Sequence, residues 1–304
     1  MRITPRVRTW LTGPGADPSV RLRSWTEVEG RTLRDAAVRR ARRAIGRTGW
    51  AAGLLADQFP DGHWVTPGAS ARELYHPKYV ATNWRAIVLA DLGMTRDDPR
   101  IRRTAERILN RWGARGEDLS GQSGEIGVTG NAVRTLIRFG YLDHPAVRRS
   151  IAWIVRTQKP DGGWHCFPSR KGALDGWEGL AALAEVPEES RDGSVRRSME
   201  RGAEFYLDRH LAEEGVRYPP WFRIHYPNHY CYDLLVGLRL LTRLGYGSDR
   251  RLAPALRWLR RKQRPDGFWA LDAEHPDLDP GRAGYSFPGP VFPMRLEPTN
   301  APGR

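Results

Sequence analysis

A seven-residue pattern, Gln-x-Pro-Asp-Gly-x-Trp, occurs three times in this chain. The copies are Gln58 to Trp64, Gln158 to Trp164 and Gln263 to Trp269, spaced 100 and 105 residues apart. A pattern of that length recurring at near-constant spacing means a repeat architecture, and repeats restrict the fold more than any single residue does. The parts of the motif have physical jobs. Pro-Asp-Gly is a turn signal, because Pro fixes φ, Asp bonds the local backbone and Gly accepts backbone angles that other residues resist. The Gln closes a helical stretch and has an amide to hydrogen-bond into a neighbouring segment. The Trp buries a large apolar ring while keeping an N–H for a partner. We therefore read the motif as a clamp between successive helices.

A second unit recurs between the clamps. Thr82 to Gly93, Thr129 to Gly140, Asp175 to Glu185 and Tyr232 to Gly245 each read as an apolar helix, and three of the four end at Gly, where a helix stop is expected. Amphipathic helices alternate with them, marked by Ile101, Ala105, Ile108 and Trp112, then Val147, Ile151 and Ile154. Val195, Met199, Ala203 and Tyr206 mark another, and Leu252, Leu256 and Leu259 the last. These second helices carry many Arg residues on the opposite face. That asymmetry predicts inner helices packed on both sides and outer helices with one wet face. The segment from Asp35 to Gln58 reads as a further outer helix, weakened or broken by Gly46 and Gly49.

Gln-x-x-Asp-Gly-x-Trp turns between inner and outer helices resemble the repeats of squalene–hopene and oxidosqualene cyclases and of protein prenyltransferase β subunits. The resemblance runs from about Asp35 to Trp269. It implies an all-α fold, an α/α toroid of helical hairpins around an apolar cavity. Five outer elements and four inner helices predict an incomplete ring of about five hairpins. The expected organisation is an irregular N-terminal segment over 1–30, the toroid over 31–270 and a Pro-rich tail over 271–304. No apolar inner helix follows the third clamp, so a second copy of the chain completing the ring is a further expectation.

Composition bounds the remaining classes. The 304 residues are 40% hydrophobic and include twelve Trp, enough for one large core. No stretch approaches the roughly 18 uninterrupted apolar residues of a membrane span. The first thirty residues lack the apolar run of a secretory signal. Two cysteines make no disulfide framework, and a cytoplasmic protein is the simplest expectation. The net charge of +14 comes almost wholly from Arg, spread over several outer helices and not gathered in one stripe. That distribution argues against a nucleic-acid interface.

In such a ring the segments entering the inner helices converge at one end, where helix N-termini favour anionic groups. The unusual residues concentrate there. Tyr75, His76, Tyr79, Asn83 and Trp84 precede or open the first inner helix, and Glu125 and Asn131 the second. His165, Cys166 and Phe167, then Asp175, Trp177 and Glu178, serve the third. Trp221, His225, Tyr226, Asn228, His229, Tyr230, Cys231 and Asp233 serve the fourth. Aromatic faces stabilise carbocations without attacking them, so Tyr79, Asn83, Trp84, Asn131, Trp177, Tyr226 and Tyr230 are candidate substrate contacts for an isoprenoid or similar apolar chain. Ordinary core packing explains any single ring equally well.

Asp175, Glu178 and His229 are the candidate acid–base residues. The Asp-x-Asp-Asp acid motif of squalene-cyclase-like enzymes is missing; Asp277-Leu-Asp279-Pro280 comes nearest and lacks the last Asp. Class II cyclisation here needs a displaced acid. The prenyltransferase resemblance implies zinc, with Asp175 at the position of the family's ligand Asp. Trp177 occupies the family's Cys position, and His229-Tyr230-Cys231 falls near its His. A remodelled site from Asp175, His229 and Cys231 has suitable O, N and S ligands, and a metal-dependent transferase or hydrolase is the reading it would support. A toroid without catalysis, binding a hydrophobic ligand or a protein, is the third.

Overall fold

A computed structural model describes residues 3–64, 74, 75, 78, 79, 81–114, 118, 119, 124–212, 215 and 218–272. His76 and the tail from residue 273 onward lie outside these. Among the described residues the chain is helical, with isolated bridges as its only β pairings. The all-α expectation and the alternation of helices hold.

The chain divides into two compact units. The first holds residues 3–107 together with 265–268; the second holds 108–264 with 269–272. In the first, α1 (Pro5–Thr12) and α2 (Pro18–Arg23) each begin at a Pro behind a capping side chain. Thr4 accepts from the Val7 N–H at 3.3 Å, and Asp17 from the Ser19 N–H at 2.8 Å. These caps correct the irregular segment expected over 1–30: Pro at the first helical position costs no hydrogen bond and presets φ. A π-helical turn follows at Ser24–Val28. The expected outer helix from Asp35 is two helices, α3 (Ala36–Ala44) and α4 (Gly49–Ala56). They part because Gly46 and Gly49 adopt φ of 81° and 72°, which no helix interior permits. The inner helix α5 (Thr82–Asp91) is buried from residue 82 to 90. It precedes α6 (Pro99–Trp112), within which the division between units falls.

The second unit alternates as predicted. Its inner helices are α7 (Ile126–Phe139), α9 (Trp177–Glu185) and α11 (Leu234–Leu241). Its outer helices are α8 (Pro145–Thr157), α10 (Gly193–Asp208) and α12 (Ala253–Arg261). α9 packs on α7 and α11, and each inner helix also packs on an outer one: α7 on α8, α9 on α10, α11 on α12. Gly130 lets α7 and α9 approach closely, since a Cβ there would lie 2.6 Å from the Glu178 carbonyl oxygen.

The three clamps repeat in their bonds. Trp64 donates its indole N–H to the Leu54 carbonyl, Trp164 to Ile154 and Trp269 to Leu259, each at 2.8 Å and each ten residues back. The Gln amides reach the following outer helix. Gln58 donates to the Arg100 carbonyl and the Thr104 hydroxyl, and Gln158 to the Ser198 carbonyl at 2.8 Å. The turn Gly has φ of 91°, 91° and 87° in the three copies, and only Gly adopts that conformation freely. A Cβ at Gly62 would also meet the Arg103 backbone at 2.7 Å.

Candidate functional site

The second clamp builds the entrance to α9. Trp164 is fully buried beneath it, and a Cβ at Gly179 would press 2.6 Å from the Trp164 ring. The Trp164 carbonyl accepts from the Ala173 N–H at 2.8 Å, which turns the chain into a 3-10 turn at Leu174–Gly176. Tyr206 of α10 donates to the Leu174 carbonyl at 2.9 Å. This scaffold leaves Asp175 exposed at the turn. It directs Glu178, one helical turn on, into the α7–α9 interface.

Glu178 is 0% exposed, and neither carboxyl oxygen has a hydrogen-bond partner. A Cβ at Gly127 would come within 3.5 Å of Glu178 Oε1 and 3.3 Å of Cys166 Sγ, so acid and thiol flank the same glycine of α7. Burial pushes the carboxyl well above its ordinary range; the Arg134 charge opposes this and the Asp175 charge adds to it. Burial, with the nearby Glu178, pushes the Cys166 thiol up to about 12. Both shifts favour the protonated forms. Arg134, itself buried on α7, places its guanidinium 4.9 Å from the centre of the Trp177 ring.

The segment entering α11 ties the neighbouring candidates together through its main chain. Asn131 of α7 donates to the His229 carbonyl at 3.0 Å, and the Trp177 indole to the Tyr230 carbonyl at 3.2 Å. Trp221 donates to Asp175 Oδ1 at 3.3 Å. His225 Nδ1 stands 2.9 Å from Asp233 Oδ2, while Asp233 Oδ1 caps α11 by accepting from the Val236 N–H at 2.7 Å. His229 is 1% exposed, held at φ 44°, a left-handed conformation that costs a non-glycine residue energy. Tyr226, Tyr230 and Cys231 are half-buried in this segment. Asn131, Asp175, Trp177, Glu178, His229 and Tyr230 thus belong to one assembly of α7, α9 and the entry to α11.

The first unit holds the other candidates. Trp84 donates to the Tyr75 carbonyl at 2.7 Å and packs against Tyr79, with ring centres 5.3 Å apart. Asn83 is buried on α5 beside them in sequence.

Among the described residues no group of three or more His, Cys, Asp or Glu side chains could hold a metal ion. Asp175, His229 and Cys231 do not form a ligand set: Asp175 accepts from the Trp221 indole at the turn, while His229 is buried in the segment entering α11. The donors present among the described residues do not fit zinc. Sequence reasoning missed Arg134, the Trp221 partner of Asp175 and the pair Gly127/Gly130. The glycines alone had a visible signal, two small residues three apart on an apolar helix.

No family model matches the chain, and no curated protein matches it. Among solved structures, a protein from Actinoplanes is 19% identical with a TM-score of 0.43, over 84% of this chain and 74% of that one. The type II terpene cyclase MstE from Scytonema, in complex with its substrate geranylgeranyl dihydroxybenzoate, is 14% identical with a TM-score of 0.32. That match covers 72% of this chain and 78% of the cyclase. The same cyclase in complex with its product merosterolic acid A is 16% identical with a TM-score of 0.30, over 72% and 79% of the two chains. No helix among the described residues is long and apolar enough to cross a membrane.

Proposed function

We propose that this protein is a terpenoid cyclase-like enzyme acting on an isoprenoid-type apolar chain, with Glu178 as the proton donor. The observation that carries the reading is the setting of that carboxyl: wholly buried, without a hydrogen-bond partner and pushed by burial towards its protonated form. A burial-neutralised acid beside a group of aromatic and polar residues is the arrangement expected of a general acid. It is the residue we assign to supply the proton that the missing Asp-x-Asp-Asp motif would.

The environment also limits the substrate. Glu178 lacks the hydrogen-bonding neighbours that would make it a strong acid, so it suits an epoxide oxygen better than an alkene, which is far less basic. In the first case the Glu178 O–H breaks, an epoxide O–H forms and the C–O bond opens to a tertiary cation. In the second a C–H bond forms at the alkene. Neighbouring alkene π bonds then close rings, and loss of one proton ends the sequence. Trp177, Tyr226 and Tyr230 offer ring faces to the cation. Asp175, exposed at the turn, resupplies the proton from solvent, and His229 takes up the final one.

The test is incubation of the full-length protein with a polyprenyl epoxide and with a geranylgeranylated arene, products being read by mass spectrometry. Cyclised products are expected, lost by about 100-fold or more in Glu178→Gln. In D2O the alkene route leaves one deuterium on carbon. Undiminished turnover in Glu178→Gln would remove the residue from the chemistry. Tight retention of the chain without turnover would favour a binding protein.

A further inference from the structure

α5 opens Thr82-Asn83-Trp84-Arg85, and the run Asp175-Gly176-Trp177-Glu178, which passes from a 3-10 turn into α9, likewise sets a charged residue directly after a Trp. Each of the two inner helices thus buries a charged residue type after its Trp, of opposite sign. Arg85 is 8% exposed, and its Nε and Nη1 have no hydrogen-bond partner. Asn83 is 1% exposed with both amide atoms unpartnered, and the fully buried Thr82 hydroxyl is also unpartnered. α5 carries no side-chain cap at Ala81, so its N-terminus presents its positive dipole end. The Trp84 indole, by contrast, is satisfied by the Tyr75 carbonyl. Orphaned donors are thus concentrated at this helix start.

A carboxyl buried without a partner discharges itself by keeping its proton. A guanidinium has no such route, since it stays charged at any physiological pH. Burial pulls Arg85 down and the charge of Asp57 pushes it back up, but the exposed Asp57 makes no hydrogen bond to it. A buried cation with unused donors calls for an acceptor that the chain itself does not supply.

We infer that the N-terminal turn of α5 is a binding site for an oxyanionic group, a phosphate or a carboxylate, held by Arg85, Asn83 and Thr82. Arg85 supplies charge and N–H donors, Asn83 an amide donor and Thr82 a hydroxyl, together with the helix dipole. The site stands independently of the Glu178 chemistry, because its donors and its test involve neither Glu178 nor turnover.

Thermal unfolding of the full chain tests it, with inorganic diphosphate, acetate or chloride added at matched ionic strength. At ten times the dissociation constant, diphosphate or acetate should raise the melting temperature by about 3 °C over chloride. A response to diphosphate alone assigns a phosphate ligand, and a response to acetate a carboxylate. Arg85→Met should abolish the shift and, without anion, melt no lower than the native chain, because an unpaired buried charge has been removed. Asn83→Leu should weaken the shift. Arg40→Gln, a change at an exposed arginine of α3, should retain it, separating the site from general attraction to a basic surface. No shift in the native protein, a shift surviving Arg85→Met, or an Arg85→Met protein that melts lower or fails to fold would each overturn the assignment.

Discussion

Two inner helices begin alike and bury opposite charges. A Trp precedes the charged residue in each, Trp84 before Arg85 and Trp177 before Glu178, and in both the indole is hydrogen-bonded to a carbonyl while Arg85 Nε and Nη1 and both Glu178 carboxyl oxygens have no partner. The difference lies in what each group can do about its burial. Burial drives Glu178 towards its neutral, protonated form, the form in which a carboxyl can donate a proton. Arg85 keeps its charge and must take an anion from outside. One repeat thus supports two chemistries, and the residue after the Trp chooses between them.

The comparison can be broken most severely by exchanging charges. Glu178→Arg puts a guanidinium into the α7–α9 interface with no partner and no way to discharge, and should cost about 3–5 kcal/mol in urea unfolding. Arg85→Glu should cost far less, because a carboxyl there can protonate. Equal losses would show that the two sites do not differ as described. Next comes Gly130→Val: with the Glu178 backbone 2.6 Å from a Cβ at that position, overpacking should destabilise by about 1–3 kcal/mol. A neutral result would mean that α7 and α9 have room to separate.

The pH dependence of stability sharpens the same contrast. The folded state raises the Glu178 pKa above the unfolded value of 4.5. Its contribution is therefore fully present below that value and is lost as pH rises towards the folded pKa, by up to about 1.4 kcal/mol per pH unit within the window. Glu178→Gln should flatten that slope, and an unchanged slope would assign the titration elsewhere. The smallest effects belong to the tryptophans. Trp177→Phe and Trp84→Phe each lose one indole hydrogen bond and should cost about 1 kcal/mol apiece by the same unfolding assay.

The clamps were legible from sequence because their work is local. A Pro-Asp-Gly turn and a Trp reaching back ten residues need no knowledge of distant partners, and the three indole bonds match. Helix alternation was legible for the same reason: apolar and amphipathic periods differ along the chain itself. The short helices α1 and α2 were not, since eight and six residues give too little period to read, and their caps rest on single Thr and Asp side chains. The break between α3 and α4 was half legible through Gly46 and Gly49. At the site, the residue types were visible but their states were not. Whether Glu178 is solvated or stranded depends on Gly127, Gly130 and Cys166, which reach it only after α7 and α9 pack. The trio Asp175, His229 and Cys231 showed the converse: suitable ligand types in sequence that folding does not assemble into a metal site.

The central claim is that Glu178 is a neutral acid inside the folded protein. Infrared difference spectroscopy of the native chain against Glu178→Gln at neutral pH reads this directly. The account predicts a protonated-carboxyl C=O band, shifted by D2O and absent from the variant. A carboxylate band in its place, or no difference between the two proteins, would contradict it.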